Sequence, residues 1–153
     1  MSEQNISGPY VQLATFCDMA IEDKTGALSI IRLIDRYTVS GQTPEMQPTP
    51  LNTTLAILLK AGFLRQKAKL RIQPTTPSGA ALPPIELSVL FEGDDRGVQI
   101  VLPLQMVLAE DGLYWFDVSA DSQPLTRIAL RLLYQHVAVA TGAKPAREQD
   151  SSN

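Results

Sequence analysis

Lys67-Ala68-Lys69-Leu70-Arg71-Ile72 alternates cation and apolar residue without a break. Successive side chains of an extended strand point to opposite faces. The stretch therefore sets Lys67, Lys69 and Arg71 on one face and Ala68, Leu70 and Ile72 on the other. It predicts a half-exposed strand with water on one side and a core on the other. Downstream the pattern repeats: Ile85, Leu87, Val89 and Phe91 face one way, Glu86, Ser88 and Glu92 the other. The next apolar runs are Val98 to Leu108, Leu113 to Ala120 and Leu125 to Val137. Their separators, Gly93-Asp94-Asp95-Arg96-Gly97, Glu110-Asp111-Gly112 and Asp121-Ser122-Gln123-Pro124, are turn chemistry. Leu125, Ile128, Ala129, Leu132 and His136 would also fit a helical face, but the rhythm of runs and turns favours a strand.

Upstream, Leu55 to Phe63 reads as a strand through the alternation of Leu55, Ile57 and Leu59. Residues 10–21 form a first strand, and Asp23-Lys24-Thr25-Gly26 supplies a hairpin turn into a second strand over 27–39. That second strand is apolar on both faces, with Leu28, Ile30 and Ile34 against Ile31, Leu33, Tyr37 and Val39. Such a pattern fits a central strand, a bulge, or a face covered by another subunit. Ser40 to Pro50 and Pro74 to Pro84 are long Pro-rich connections of the kind that cross between sheets or carry function.

The expected architecture is all-β, an antiparallel β-sandwich of about 7–8 strands. A single domain is assigned to 10–138, with 1–9 as a flexible N-terminus and 139–153 as a disordered, polar C-terminal tail. A composition of 44% hydrophobic and 19% charged residues is that of a globular chain. The formal charge of −3 gives no compositional support for nucleic-acid or anionic-membrane binding. The start lacks a basic and apolar leader, and a lone Cys17 fits a reducing compartment, so a cytoplasmic setting is expected.

Two stretches carry a family resemblance. Tyr10 through Val39, with Phe16-Cys17-Asp18, Gly26-Ala27-Leu28-Ser29-Ile30-Ile31 and Ile34-Asp35-Arg36, resembles the opening of a family of small bacterial proteins of unknown function. Asp111-Gly112-Leu113-Tyr114-Trp115-Phe116-Asp117-Val118, with Leu125-Thr126-Arg127-Ile128-Ala129-Leu130, is similar to its close. The resemblance implies a sandwich that is immunoglobulin-like or C2/jelly-roll-like, a bacterial setting, and no activity. Glu110-x-Gly112-x-Tyr114-x-Phe116 also resembles the tyrosine corner of immunoglobulin-like domains, in which a Tyr hydroxyl bonds upstream backbone. Phe116 stands where those domains usually carry a cysteine.

Catalytic readings are weak. Nucleophilic chemistry would need Cys17 to meet the one imidazole, His136, whereas the pattern makes Cys17 a core thiol and His136 a residue at a strand end. Zinc needs three or four N or S ligands, which these two residues do not provide. Asp23, Asp94, Asp95, Glu110, Asp111 and Asp121 offer oxygen ligands for calcium, but successive turns divide them between the two ends of a sandwich. Asp18 and Asp35 lie within apolar stretches and call for partners such as Arg32 or Arg36. We therefore expect no enzyme, cofactor or metal. The reading is a protein-interaction or assembly module, with a protein partner or self-association through Trp115 or the second strand. Its candidate face is Trp115, Arg65, Lys67, Lys69 and Arg71. Arg65 to Arg71 form a row that could meet an acidic surface, although Glu86 and Glu92 could neutralise it. The competing reading is a small-ligand or carbohydrate-binding sandwich that uses the Pro-rich loops.

Overall fold

The computed structural model describes residues 8–138; the proposed tail over 139–153 and all but Gly8 and Pro9 of the proposed flexible N-terminus lie outside them. Nine strands run through the described residues: β1 (Tyr10–Glu22), β2 (Leu28–Ile34), β3 (Arg36–Gly41), β4 (Thr49–Lys60), β5 (Arg65–Thr75), β6 (Ile85–Glu92), β7 (Gly97–Leu108), β8 (Gly112–Ala120) and β9 (Gln123–His136). They form a four-stranded sheet in the order β2-β1-β4-β7 and a five-stranded sheet in the order β3-β9-β8-β5-β6. The protein is an all-β sandwich, and the ambiguous last run is a strand.

One core joins the sheets. Leu55, Ile57 and Leu59 of β4 and Ile100 and Leu104 of β7 meet Leu70, Ile72, Phe91, Phe116, Val118, Leu130 and Leu132 of the other sheet. Phe16 and Phe116 cross the interface edge to face, with ring centroids 4.8 Å apart, a preferred aromatic geometry. Phe116 therefore fills apolar volume at the position where immunoglobulin-like domains with a tyrosine corner usually place half of a disulfide.

Two features depart from expectation. The single strand expected over 27–39 is two strands, β2 and β3, separated at Asp35, and they belong to different sheets. The apolar residues on both faces of 27–39 thus reflect a change of sheet: the core lies on one side of the chain before Asp35 and on the other side after it. In addition, β3 pairs with β9 in parallel, so the sandwich is not wholly antiparallel. Residues 42–48 then carry the chain from β3 to β4, a role expected of the first Pro-rich segment.

The tyrosine corner is present. Tyr114 is buried, its hydroxyl donates to Glu110 O at 2.6 Å, and Glu110 N donates back to it at 3.2 Å. Gly112 makes the corner possible, with φ at +126° and an added Cβ only 2.9 Å from the Pro77 ring, a backbone that side chains other than glycine rarely adopt. Ser78 and Thr76, on the same loop as Pro77, hydrogen-bond the Glu110 carboxyl and hold it below its ordinary pKa.

Candidate interaction surfaces

The β1–β2 ribbon is built on a capped turn. Asp23 Oδ1 accepts from Thr25 N at 2.7 Å, Thr25 Oγ1 at 2.5 Å and Ala27 N at 3.2 Å. These bonds, the Thr25 hydroxyl first, hold the Asp23 carboxyl below its ordinary pKa. Gln99 Nε2 donates to Gly26 O at 2.8 Å. Because β1 and β4 lie between β2 and β7 in the sheet, this bond places the turn against the sheet. Midway along the ribbon Arg32 takes φ +54° and its Nε meets Asp18 Oδ2 at 3.0 Å, so Arg32 is the Asp18 partner.

Register gives the ribbon one continuous apolar face: Met19 opposes Ile31, Cys17 opposes Leu33, and Ile21 opposes Ser29. Met19, Ile21, Ile31 and Leu33 are 50%, 47%, 46% and 67% exposed. Cys17 has no exposure, nor does Ala56, yet neither belongs to the core between the sheets. They follow and precede core residues Phe16 and Ile57, and so lie on the opposite side of the four-stranded sheet. Burial, then the charge of Asp18, pushes the Cys17 thiol pKa up.

The cations singled out in the sequence lie on the outer face of the five-stranded sheet, where salt bridges engage most of them. Lys69 Nζ and Arg71 Nη1 both meet Glu86, at 2.8 and 3.3 Å, and the Lys69 bond is the chief cause of a lowered Glu86 pKa. Arg65 pairs with Asp94 at 2.8 Å, while Glu92 turns to Arg96 at 3.4 Å. Lys67 has no ion-pair partner among the described residues. Trp115 shares this face and is half-buried, because the Arg127 guanidinium stacks 4.4 Å from its ring centroid. Asp117 fixes Arg127 from the side at 3.2 Å.

The residues weighed for chemistry are dispersed. No hydrogen bond joins Cys17 and His136 among the described residues; His136 Nε2 lies 3.1 Å from Gln42 O at the end of β9. Asp94 meets Arg65, Asp95 receives the Tyr10 hydroxyl at 3.0 Å, and Asp121 caps Lys69 N at 2.8 Å. Among the described residues no three His, Cys, Asp or Glu side chains gather into a group that could hold a metal ion. Asp35 is exposed at the bend between β2 and β3, and its carbonyl accepts from Arg131 N.

A cleft of about 490 Å³ opens where the second Pro-rich loop meets β7, walled by Pro74, Leu82, Pro83, Pro84, Leu104 and Met106. Its lining is mostly apolar, with Gln105 as its one polar side chain. No charged residue and no aromatic ring contributes to it.

A family model described as "Family of unknown function (DUF6941)" matches residues 12–133. The chain belongs to this family. The resemblance at the two ends of the sequence thus extends over nearly all of the DUF6941 domain. No curated protein matches it. Among solved structures it is similar to an immunoglobulin-like protein from Pseudomonas aeruginosa, at 10% identity, with 81% of this chain and 95% of that one covered and a TM-score of 0.40. Across the DUF6941 domain, sequence reasoning located the cationic row and named the second strand as a route of self-association, but missed the part that Met19 and Ile21 of β1 play in the ribbon face. The available signal was the doubly apolar pattern of 27–39.

Proposed function

We propose that the chain is a non-enzymatic assembly module that self-associates through the apolar face of the β1–β2 ribbon. The observation carrying this reading is the grouping of Met19, Ile21, Ile31 and Leu33, all substantially exposed, on one register-aligned face. Scattered surface apolar residues need no explanation, but a contiguous group is the mark of an interaction site. The face itself carries no charge, so a second copy meets it without an opposing like charge, as a two-fold interface requires. Leu33 is its most exposed member and the side chain whose removal leaves the domain core intact.

Sedimentation velocity across a concentration series tests the reading. The native chain is expected to sediment as an oligomer and Leu33→Ser with Ile31→Ser as a monomer of unchanged circular dichroism. A native chain that stays monomeric throughout contradicts it. The apolar cleft favours a second reading, the binding of a small ligand. Its lining fits an apolar ligand better than a sugar, because no aromatic ring lines its walls and Gln105 is the one polar side chain there to orient a sugar.

A further inference from the structure

We propose that the outer face of the five-stranded sheet docks an acidic polypeptide segment, independently of the ribbon on the other sheet. Register defines this face from edge to edge. Arg36 opposes Arg131, Arg131 opposes Leu113, Trp115 opposes Ala129 and Thr75, Asp117 opposes Arg127 and Gln73, and Arg71 opposes Ser119 and Glu86. The face gathers Arg36, Arg131, Arg127, Arg71, Lys69 and Lys67 against Glu86, Asp117 and Asp121, while at its far end Arg65 is paired with Asp94 and Glu92 with Arg96. The chain as a whole has a formal charge of −3. Positive charge is therefore segregated onto one face of an acidic protein, an arrangement that steers an anionic partner to that face.

The Arg36 and Arg131 pair makes the case specific. Like charges directly opposite on neighbouring strands destabilise a sheet, and both side chains are exposed without an ion-pair partner among the described residues. A carboxylate supplied from outside would relieve that repulsion through charge-assisted bonds to both guanidiniums. Arg71 lies three strands from Arg36, about 14 Å at the usual strand spacing of ~4.8 Å, and about 20 Å further along the strand, because Arg131 is level with Leu113 and Arg71 with Ser119. An extended segment advances about 20 Å over six residues, so acids at positions i and i+6, met by the long arginine side chains, reach both cationic ends. The residues at i+2 and i+4 then flank Trp115, whose ring the Arg127 guanidinium covers on one side, and apolar side chains suit them.

A nucleic acid fits less well. A continuous phosphate chain would be set against Glu86 and Asp117 within the row, and Trp115 is the sole ring on the face among the described residues, so successive bases have no stacking platform.

Trp115 is the only tryptophan of the chain, so its emission reads the docking directly. The probe is a nine-residue peptide with glutamate at its second and eighth positions, leucine at its fourth and sixth and serine elsewhere. At low ionic strength it is expected to give a saturable emission change in the full chain. Arg36→Glu with Arg131→Glu should weaken it about tenfold or more, as expected for loss of roughly 1.4 kcal/mol, and Arg36→Gln with Arg131→Gln should weaken it less. Both variants should keep the native circular dichroism, because both side chains are exposed; the glutamine pair removes the like-charge contact and the glutamate pair only reverses its sign. The proposal is overturned if the peptide gives no saturable change, if its glutamine counterpart binds equally, or if the variants bind as the native chain does. It is also overturned if phosphatidylserine vesicles or oligothymidylate shift the emission and the peptide does not compete.

Discussion

At the scale of single residues, Tyr114 ties the start of β8 to the turn before it. Its hydroxyl both donates to and accepts from Glu110 backbone, and burial is the first cause of its raised pKa. Tyr114→Phe leaves the ring in place and deprives Glu110 N of its partner. We expect a loss of about 1–2 kcal/mol in urea unfolding with an unchanged m-value; an unchanged midpoint would show the bonds to be idle. Asp23, Glu86 and Glu110 all carry lowered pKa values in the fold. A carboxylate with a lowered folded pKa contributes stability above its unfolded pKa and loses it as pH falls through the folded value. The melting temperature should therefore fall on acidification below about pH 4, the ordinary carboxylate range. Asp23→Asn combined with Glu86→Gln should flatten that slope. An identical slope in the double variant would show that other groups govern acid sensitivity.

Among the elements, the ribbon turn is the piece whose loosening should be felt at a distance. Asp23→Ala removes three hydrogen bonds within the turn, and the turn in turn holds Gln99 through Gly26 O. Cys17, buried outside the core, is the built-in reporter. The native thiol should react slowly with an aromatic disulfide reagent, and Asp23→Ala should accelerate it through local opening while global stability changes by only about 1 kcal/mol. Equal labelling rates would show that the turn does not gate the thiol. The same region marks the limit of what periodicity could reveal. β5 and β6 were legible because each has one wet face, so that Lys67, Lys69 and Arg71 alternate with core residues. β2 and β3 were not, because a chain that changes sheets at Asp35 inverts which parity is buried, and the sum reads as one strand apolar on both sides. The opposition of Arg36 and Arg131 was hidden for a related reason: it needs the parallel pairing of β3 with β9, a contact between residues far apart in sequence that no local pattern encodes.

For the whole molecule, the core depends on rings that bridge the sheets. Phe116→Ala removes one partner of the Phe16 contact from a fully buried site, and a loss of about 3–5 kcal/mol is expected in urea unfolding; a loss below about 1 kcal/mol would mean the cavity collapses freely or the ring contact is peripheral. The all-strand architecture could be foreseen from turn chemistry and alternation, and the tyrosine corner from the resemblance of Glu110-x-Gly112-x-Tyr114-x-Phe116 to immunoglobulin-like domains. The cationic row and the second strand were singled out as surfaces, but the joint exposure of Met19, Ile21, Ile31 and Leu33 was not, since it is set by what the rest of the sandwich fails to cover. Self-association through that face is the central claim, and hydrogen exchange measured from low to high micromolar concentration tests it most directly. The account predicts that amides of residues 28–34 gain protection as concentration rises while those of β8 stay constant. Exchange in 28–34 that is independent of concentration, in a chain that remains monomeric, would contradict it.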